Sequence, residues 1–397
     1  MTTVVEWWNI HPEHAWLRGD RPATPVEFDE AQGVWNVYGH AECLEILNNH
    51  ETFSSDLTRL LPVGVDDSLI EGDISQMDPP VHRKYRSLVS RAFTPRLVGA
   101  MESRVVDITN ELLDAVEGKP EIEIAADLAY PLPVIVIAEL LGVPAADRDL
   151  FRKWADDVVE SFSGFSFLDG SEQGEKDIRD ATQRLRPLID YMAGHLAERR
   201  SRPREDLLSR LALAEVDGER LTDNEIVNVA NILLVTGHIT TTMTLGNTVL
   251  CLDAHPEQAA RVRADRSLVP GAIEEALRTL SPSAALARGT TRDVEIGGTR
   301  IPKDQIVMLW LAAANRDPLR FPDPEVYDPA RDPNPHFGFG RGIHFCLGAG
   351  LARLEGRIAL NALLDRFPVL RTDPAKPPTF FPTPDMVGVN TLPLHTS

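Results

Sequence analysis

The chain has 397 residues, 43% of them hydrophobic, with 40 basic against 60 acidic side chains and a formal net charge of −20. That balance excludes nucleic acid as a main partner, since phosphate binding needs a basic face, and it favours dispersal in solution. Three cysteines, Cys43, Cys251 and Cys346, are too few and of the wrong parity for a disulfide scaffold. The length allows roughly two or three domains. No linker or repeat divides it, however, so one large domain over residues 1–397 is expected, mainly α with a small β region. The opening MTTVVEWWNIHPEH lacks the basic start and apolar stretch of a secretory signal. No run of about 18 apolar residues occurs. Val134–Leu141 and Ile232–Leu252 come nearest and are broken by Glu, His and Thr. A cytoplasmic protein without a membrane segment is therefore expected.

In chain order, Val34–Tyr38 alternates as a strand does, and Ala41–Leu47 has helical spacing with Cys43 as a small core residue. Leu57–Gln76 reads as a long loop. Val98–Val116 and Asp177–Arg199 show helical periodicity, and Gly164–Gly174 between them reads as a second loop. Thr222 with Glu225 forms a capping-box pattern that opens a long apolar helix to about Leu252, with Cys251 in the core near its end. Val294–Ile296 and Ile306–Trp310 read as strands with Gly297–Gly298 turning between them. The proline-dense stretch Asp317–Pro335 cannot be regular helix or central strand.

Phe337 to Gly348 reads FGFGRGIHFCLG and is followed by Leu351, Leu354, Ile358, Leu363 and Leu364 at helical spacing. Cys346 is thus expected on a glycine-bent loop at a helix N-terminus, where free N–H groups and the helix dipole favour a thiolate. Gly340, Gly342 and Gly348 remove side chains where the chain must turn or approach a flat ligand, and Phe339 would lie against the sulfur or the ligand edge. A lone cysteine is commonly an inert core residue, and a nucleophilic one needs a base beside it. The whole pattern decides here. F-G-x-G-x-G-x-H-x-C-x-G, continued as G-x-x-L-A-R-x-E, resembles the haem-binding loop of the cytochrome P-450 family.

The resemblance covers essentially the whole chain. It implies the triangular, mostly helical P-450 fold and haem (heme b, iron protoporphyrin IX) with Cys346 as axial thiolate. Glu275 and Arg278 match the family's buried E-x-x-R pair, which ties its helix to the meander. The usual slot of the meander's arginine holds Val326 here. His82 and Arg86, with Arg288 and His344, match positions that bind the haem propionates. VTGHITTT resembles the oxygen-activation segment of the long helix. There Gly237 would leave room for dioxygen and Thr240 would hydrogen-bond it, although a helical threonine often bonds back to the preceding turn instead. Ile239 stands where an acid usually relays protons. His238 is adjacent but would point about 100° away, so ordered water is the expected proton route.

HITTT followed by LGN, with ETFSSDLTR and LLSRLALAEVDG elsewhere, resembles bacterial P-450s that tailor antibiotics, above all erythromycin-type hydroxylases. This implies hydroxylation or epoxidation of a small, largely apolar natural product. A macrolide or other polyketide is the first expectation and a cyclic peptide the alternative. Its pocket would draw on Leu57–Gln76, Phe162–Gly170, Val235–Thr240, Pro282–Ala287 and Phe381–Val387. Arg83, Lys84, Arg86, Arg91 and Arg96, with Arg341, Arg353 and Arg357, form a basic concentration in an acidic chain. A ferredoxin, fed by its reductase, would dock there. A peroxide-driven enzyme and a haem sensor without turnover are the rival readings.

Overall fold

Thr222 caps the central element by the predicted reciprocal pair. Its hydroxyl accepts from the Glu225 amide at 3.2 Å, and the Glu225 carboxylate accepts from the Thr222 amide at 2.6 Å. The computed structural model describes residues 14, 22–60, 71–147, 150, 151, 153, 154, 172–216 and 218–396. Its helices are α1 (His40–Asn48), α2 (Val81–Ala92), α3 (Pro95–Ala100), α4 (Glu102–Asp114), α5 (Pro131–Leu141) and α6 (Glu172–Ser201). They continue with α7 (Leu207–Leu213), α8 (Asp223–Ala254), α9 (Pro256–Ala264), α10 (Val269–Thr279), α11 (Leu311–Ala314) and α12 (Ala349–Arg366). Helix α8 packs on α5, α6, α10 and α12.

The expectation that no segment is long and apolar enough to cross a membrane fails for α8, whose 32 residues pass by length and hydropathy. The reason is compositional: its Ile, Leu, Val, Ala and Met side chains outweigh His238 and the threonines in mean hydropathy. Thr236, Thr240, Thr241, Thr244 and Thr248 each donate to the carbonyl four residues back. Of the most apolar window, 67% is buried within the protein, which makes α8 the core helix.

The strands are β1 (Val26–Asp29), β2 (Val34–Val37), β3 (Phe53–Ser54), β4 (Glu121–Glu123), β5 (Glu215–Val216), β6 (Glu219–Arg220), β7 (Leu286–Thr290) and β8 (Val294–Ile296). After them come β9 (Thr299–Ile301), β10 (Ile306–Leu309), β11 (Arg371–Thr372), β12 (Thr379–Phe380), β13 (Val389–Thr391) and β14 (Pro393–His395). The largest sheet runs β1-β2-β10-β7-β3, with β10 parallel to β2 and antiparallel to β7. Here the strand expectation is corrected. Gly297 and Gly298, both at positive φ, turn β8 back onto β9, not onto Ile306–Trp310. Three-residue β9 ends at Pro302 and is too short to read from periodicity.

The predicted single helix Val98–Val116 is two, α3 and α4, parted at Met101. Gly99 is a weak helix former near the end of α3. Pro187 sits inside α6. Asp317–Pro335 carries neither helix nor strand, as expected. Cys43 and Cys251 are buried in the core. A second, smaller core of Val37, Cys43, Ile46, Phe53, Val307, Leu309 and Phe337 joins the large sheet to α1. Phe337, which begins the cysteine loop, is anchored there.

Candidate active site

The Phe337 amide donates to Asn315 Oδ1 at 2.7 Å, fixing the start of the cysteine loop. Gly340 and Gly342 follow at φ +66° and +70°. A Cβ on Gly342 would fall 2.4 Å from the Leu47 carbonyl oxygen, so both conformation and space demand glycine there. The Cys346 amide then donates to the Phe339 carbonyl at 2.9 Å and closes the loop. Gly348 is the N-cap of α12. At its φ of −83° the backbone conformation does not itself require glycine.

Cys346 is the free cysteine of this loop. The backbone N–H groups of Gly348 and Ala349 and the charges of Arg86 and Arg353 lower its thiol pKa, as the helix N-terminus predicts. Burial by the surrounding protein is the larger effect, and the net direction is upward. Phe339 stays beside the cysteine, capped by the Arg353 guanidinium 4.4 Å above its ring, with Phe345 6.3 Å away.

Four predicted residues from three separate elements converge next to this loop. His82 and Arg86 come from α2, Arg288 from β7 and His344 from the loop itself. The rings of His82 and His344 lie 4.3 Å apart. His344 Nε2 is 2.9 Å from the Ser55 hydroxyl, and Arg86 donates to the Phe345 carbonyl. His82 Nε2 is buried without a hydrogen-bond partner. Arg288, 9% exposed, donates to its neighbour's carbonyl and forms no ion pair among the described residues. Burial, then Arg288, His82 and Arg86, push His344 down to about 3. Burial also lowers His82 and Arg288. Two arginines and two histidines, one of them with an unpartnered buried ring nitrogen, are the partners an anion needs. The two carboxylates of haem fit this cluster, and Cys346 supplies the thiolate beside it.

On α8, a Cβ at Gly237 would meet nothing nearer than Ile137 Cδ1 at 3.8 Å. Thr240 Oγ1 donates to the Thr236 carbonyl at 2.8 Å. Ile239 is half-buried. His238 is fully buried, with Nδ1 2.6 Å from the Leu234 carbonyl and its ring edge-on to Tyr130 at 5.8 Å. It therefore points away from Ile239, as predicted. The expected pocket walls Pro282–Ala287 and Phe381–Val387 meet through Val387 N donating to Pro282 O at 3.0 Å and Ala284 N to Asp385 O at 2.8 Å. Phe162–Gly170 and residues 61–70 of the first loop lie outside the described residues, as does most of Gly164–Gly174.

Glu275 and Arg278 are wholly buried and paired at 2.8 Å. The open question of the third member is answered by Arg331, whose Nε lies 2.9 Å from Glu275 Oε1. Asn334 Nδ2 completes the set at 3.0 Å from Oε2. Val326 takes part through its carbonyl, which accepts from both Arg278 and Arg331.

The basic concentration is smaller than the sequence suggests. Lys84 pairs with Glu219, Arg353 with Glu274 and Arg357 with Glu102, while Arg91 donates to the Glu215 carbonyl. Those acids lie far away in sequence and no local pattern reveals them. Arg83, Arg96 and Arg341 are exposed and form no ion pair among the described residues.

A family model described as Cytochrome P450 matches residues 27–396. Cyclomarin C epoxidase CymV of Salinispora arenicola is 46% identical over 380 residues, 96% of this chain and 94% of that protein. Erythromycin C-12 hydroxylase of Saccharopolyspora erythraea is 41% identical over 380 residues, 94% of this chain and 92% of that protein. Among solved structures, HmtT, involved in himastatin biosynthesis, is 82% identical, covers 100% of both chains and superposes with a TM-score of 0.93.

Proposed function

This chain belongs to the cytochrome P450 family, and from that premise we propose that it hydroxylates or epoxidises an intermediate of a himastatin-type biosynthesis. It is a haem-thiolate monooxygenase with Cys346 as the axial ligand. The bound haem supplies the reduction of dioxygen and the transfer of one oxygen atom, and the thiolate favours O–O cleavage. His82, Arg86, Arg288 and His344 would hold its two carboxylates. Phe339, Gly340 and Gly348 would shape the cradle round the sulfur. Gly237 would leave space above the site. Thr240 Oγ1 already donates a hydrogen bond to the Thr236 carbonyl. Its oxygen would still accept a hydrogen bond from water or a substrate hydroxyl and so orient the water chain. Ile239 offers no carboxyl, so ordered water completed by a substrate hydroxyl would deliver the protons.

The observation that carries the chemistry is the cluster of two arginines and two histidines beside Cys346. The substrate reading rests on the 82% identity to HmtT along the full length. The macrolide expectation keeps the support of erythromycin C-12 hydroxylase at 41% identity. Electrons would come from a ferredoxin with its reductase, docking at Arg83 and Arg341. The proposal includes a single domain over residues 1–397 and a cytoplasmic location. The test is a titration of the ferric Soret band with a himastatin-pathway intermediate and, in parallel, a macrolide aglycone, followed by turnover with a ferredoxin system. A blue shift and an oxygenated product with the first compound are expected. Response to the macrolide alone would transfer the proposal to that class. Binding without product in any electron or peroxide supply would mean a sensor.

A further inference from the structure

Asn247 lies seven residues beyond Thr240 on α8, two turns along and so on nearly the same helix face. It belongs to the LGN run that neither haem binding nor oxygen handling uses. Its side chain is fully buried and its carboxamide is saturated. Nδ2 donates to Leu280 O at 2.8 Å and to Val387 O at 2.9 Å, and Oδ1 accepts from Val389 N at 3.2 Å. Two donors and an acceptor on one planar group are what a primary amide offers and a hydroxyl or aliphatic side chain does not. The three contacts flank both proposed pocket walls, since Leu280 leads into Pro282–Ala287 and Val387–Val389 closes Phe381–Val387.

The approach of the chains there is tight. A Cβ on Gly246 would fall 2.2 Å from Val389, and one on Gly388 2.1 Å from Met243. On the far side of Leu280, Ser281 Oγ accepts from Asn315 Nδ2 at 2.7 Å, and Asn315 Oδ1 holds the Phe337 amide at 2.7 Å. Two fully buried carboxamides thus bracket Leu280–Ser281. One reaches the oxygen-handling helix and the other reaches the cysteine loop.

We propose that Asn247 is a positioning residue that sets the distance between the Gly237–Thr240 face of α8 and the walls Pro282–Ala287 and Phe381–Val387, and so decides which substrate carbon is presented for oxidation. Its effect on specificity rests on the proposed function. The placement of the walls does not, so the two can fail separately. The first measurement is amide hydrogen exchange of the haem-loaded protein without substrate. In Asn247→Ala the amides of Ala284, Val387 and Val389 should exchange at least tenfold faster, while amides of α4 keep their wild-type rates. The second is turnover of whichever substrate the wild type accepts. Product should spread to new positions and KM should rise about tenfold, with the reduced carbon monoxide spectrum and imidazole affinity unchanged. Asn247→Asp keeps the size and the acceptor but loses both donors when ionised. If Asn247→Ala does not fold, this variant decides: Val389 should stay protected while Ala284 and Val387 speed up. Wild-type exchange at the walls in a folded variant, or uniformly faster exchange with an unchanged product pattern, would overturn the proposal.

Discussion

At Thr240 the hydroxyl proton is committed to the Thr236 carbonyl in the resting structure, while its oxygen keeps lone pairs for a water or a substrate group. With Ile239 beside it, no carboxyl stands in as a second relay. Thr240→Ala is therefore expected to cut product formed per reduced nicotinamide several-fold and to release the missing electrons as hydrogen peroxide. Thr240→Ser should retain most of the coupling. Full coupling in the alanine variant would remove Thr240 from oxygen handling. A second residue invites a test of stability. Glu355 on α12 is 2% exposed, its Oε2 has no hydrogen-bond partner, and burial alone pushes its pKa up to about 8. Its pKa in the unfolded chain is near the ordinary carboxyl value, so between about pH 4.5 and 8 the folded state holds a proton that the unfolded state has lost. Stability from this group is complete below that window and falls as pH rises through it, by at most about 1.4 kcal/mol for each pH unit crossed. Glu355→Gln should flatten the decline of the melting temperature between pH 5 and 8. A parallel decline in wild type and variant would show that the folded carboxyl is already ionised.

Among the elements, the meander is held by charge and carbonyls more than by regular structure. Arg331 donates to Glu275 Oε1, Pro322 O, Asp323 O and Val326 O. Arg278 donates to the carbonyls of Asn315, Pro324 and Val326. Desolvation alone would raise Glu275, but the bonds from Arg278 and Arg331 and from the Asp328 amide leave its pKa lowered. Both arginines therefore favour its ionised form. Arg331→Ala should destabilise the fold by about 2–3 kcal/mol, read as an earlier denaturation midpoint with loss of bound haem. Arg331→Lys should not rescue it, since one ammonium cannot reproduce the guanidinium fork. Val326 is 51% exposed and contributes only its carbonyl. Restoring the family's arginine there by Val326→Arg should change stability by no more than about 0.5 kcal/mol.

For the whole molecule the net charge of −20 makes any uncompensated cation on the cysteine side a strong local feature. Reversing Lys84 or Arg353 would break the contacts to Glu219 and Glu274, so those variants report on structure as much as on docking. Arg83→Glu and Arg341→Glu avoid that difficulty. Each should lower ferredoxin-supported turnover several-fold, and added salt should weaken the wild-type rate, because exposed charges more than about 10 Å apart are largely screened at 0.1 M. Peroxide-supported turnover should stay at the wild-type level. Equal loss in both assays would place the damage at the haem site instead.

What the sequence by itself determined is short in range. The capping box of Thr222 and Glu225, the positive-φ glycines before Cys346, the helix that follows it and the Glu275–Arg278 pair all act within about one helical turn or one tight turn, where backbone period settles the geometry. The cluster of His82, Arg86, Arg288 and His344 was legible only through family resemblance, because its members come from α2, β7 and the cysteine loop. Only the tertiary structure decided that Arg331 is the third member of the Glu275 network and that Gly297–Gly298 returns the chain to Thr299–Ile301. It also decided that distant acids neutralise Lys84 and Arg353, and that Asn247 gathers Leu280, Val387 and Val389. Each of these joins groups whose local sequence permits many partners, and the burial of α8 and its neighbours selects one by leaving a charge or amide no water to bond instead.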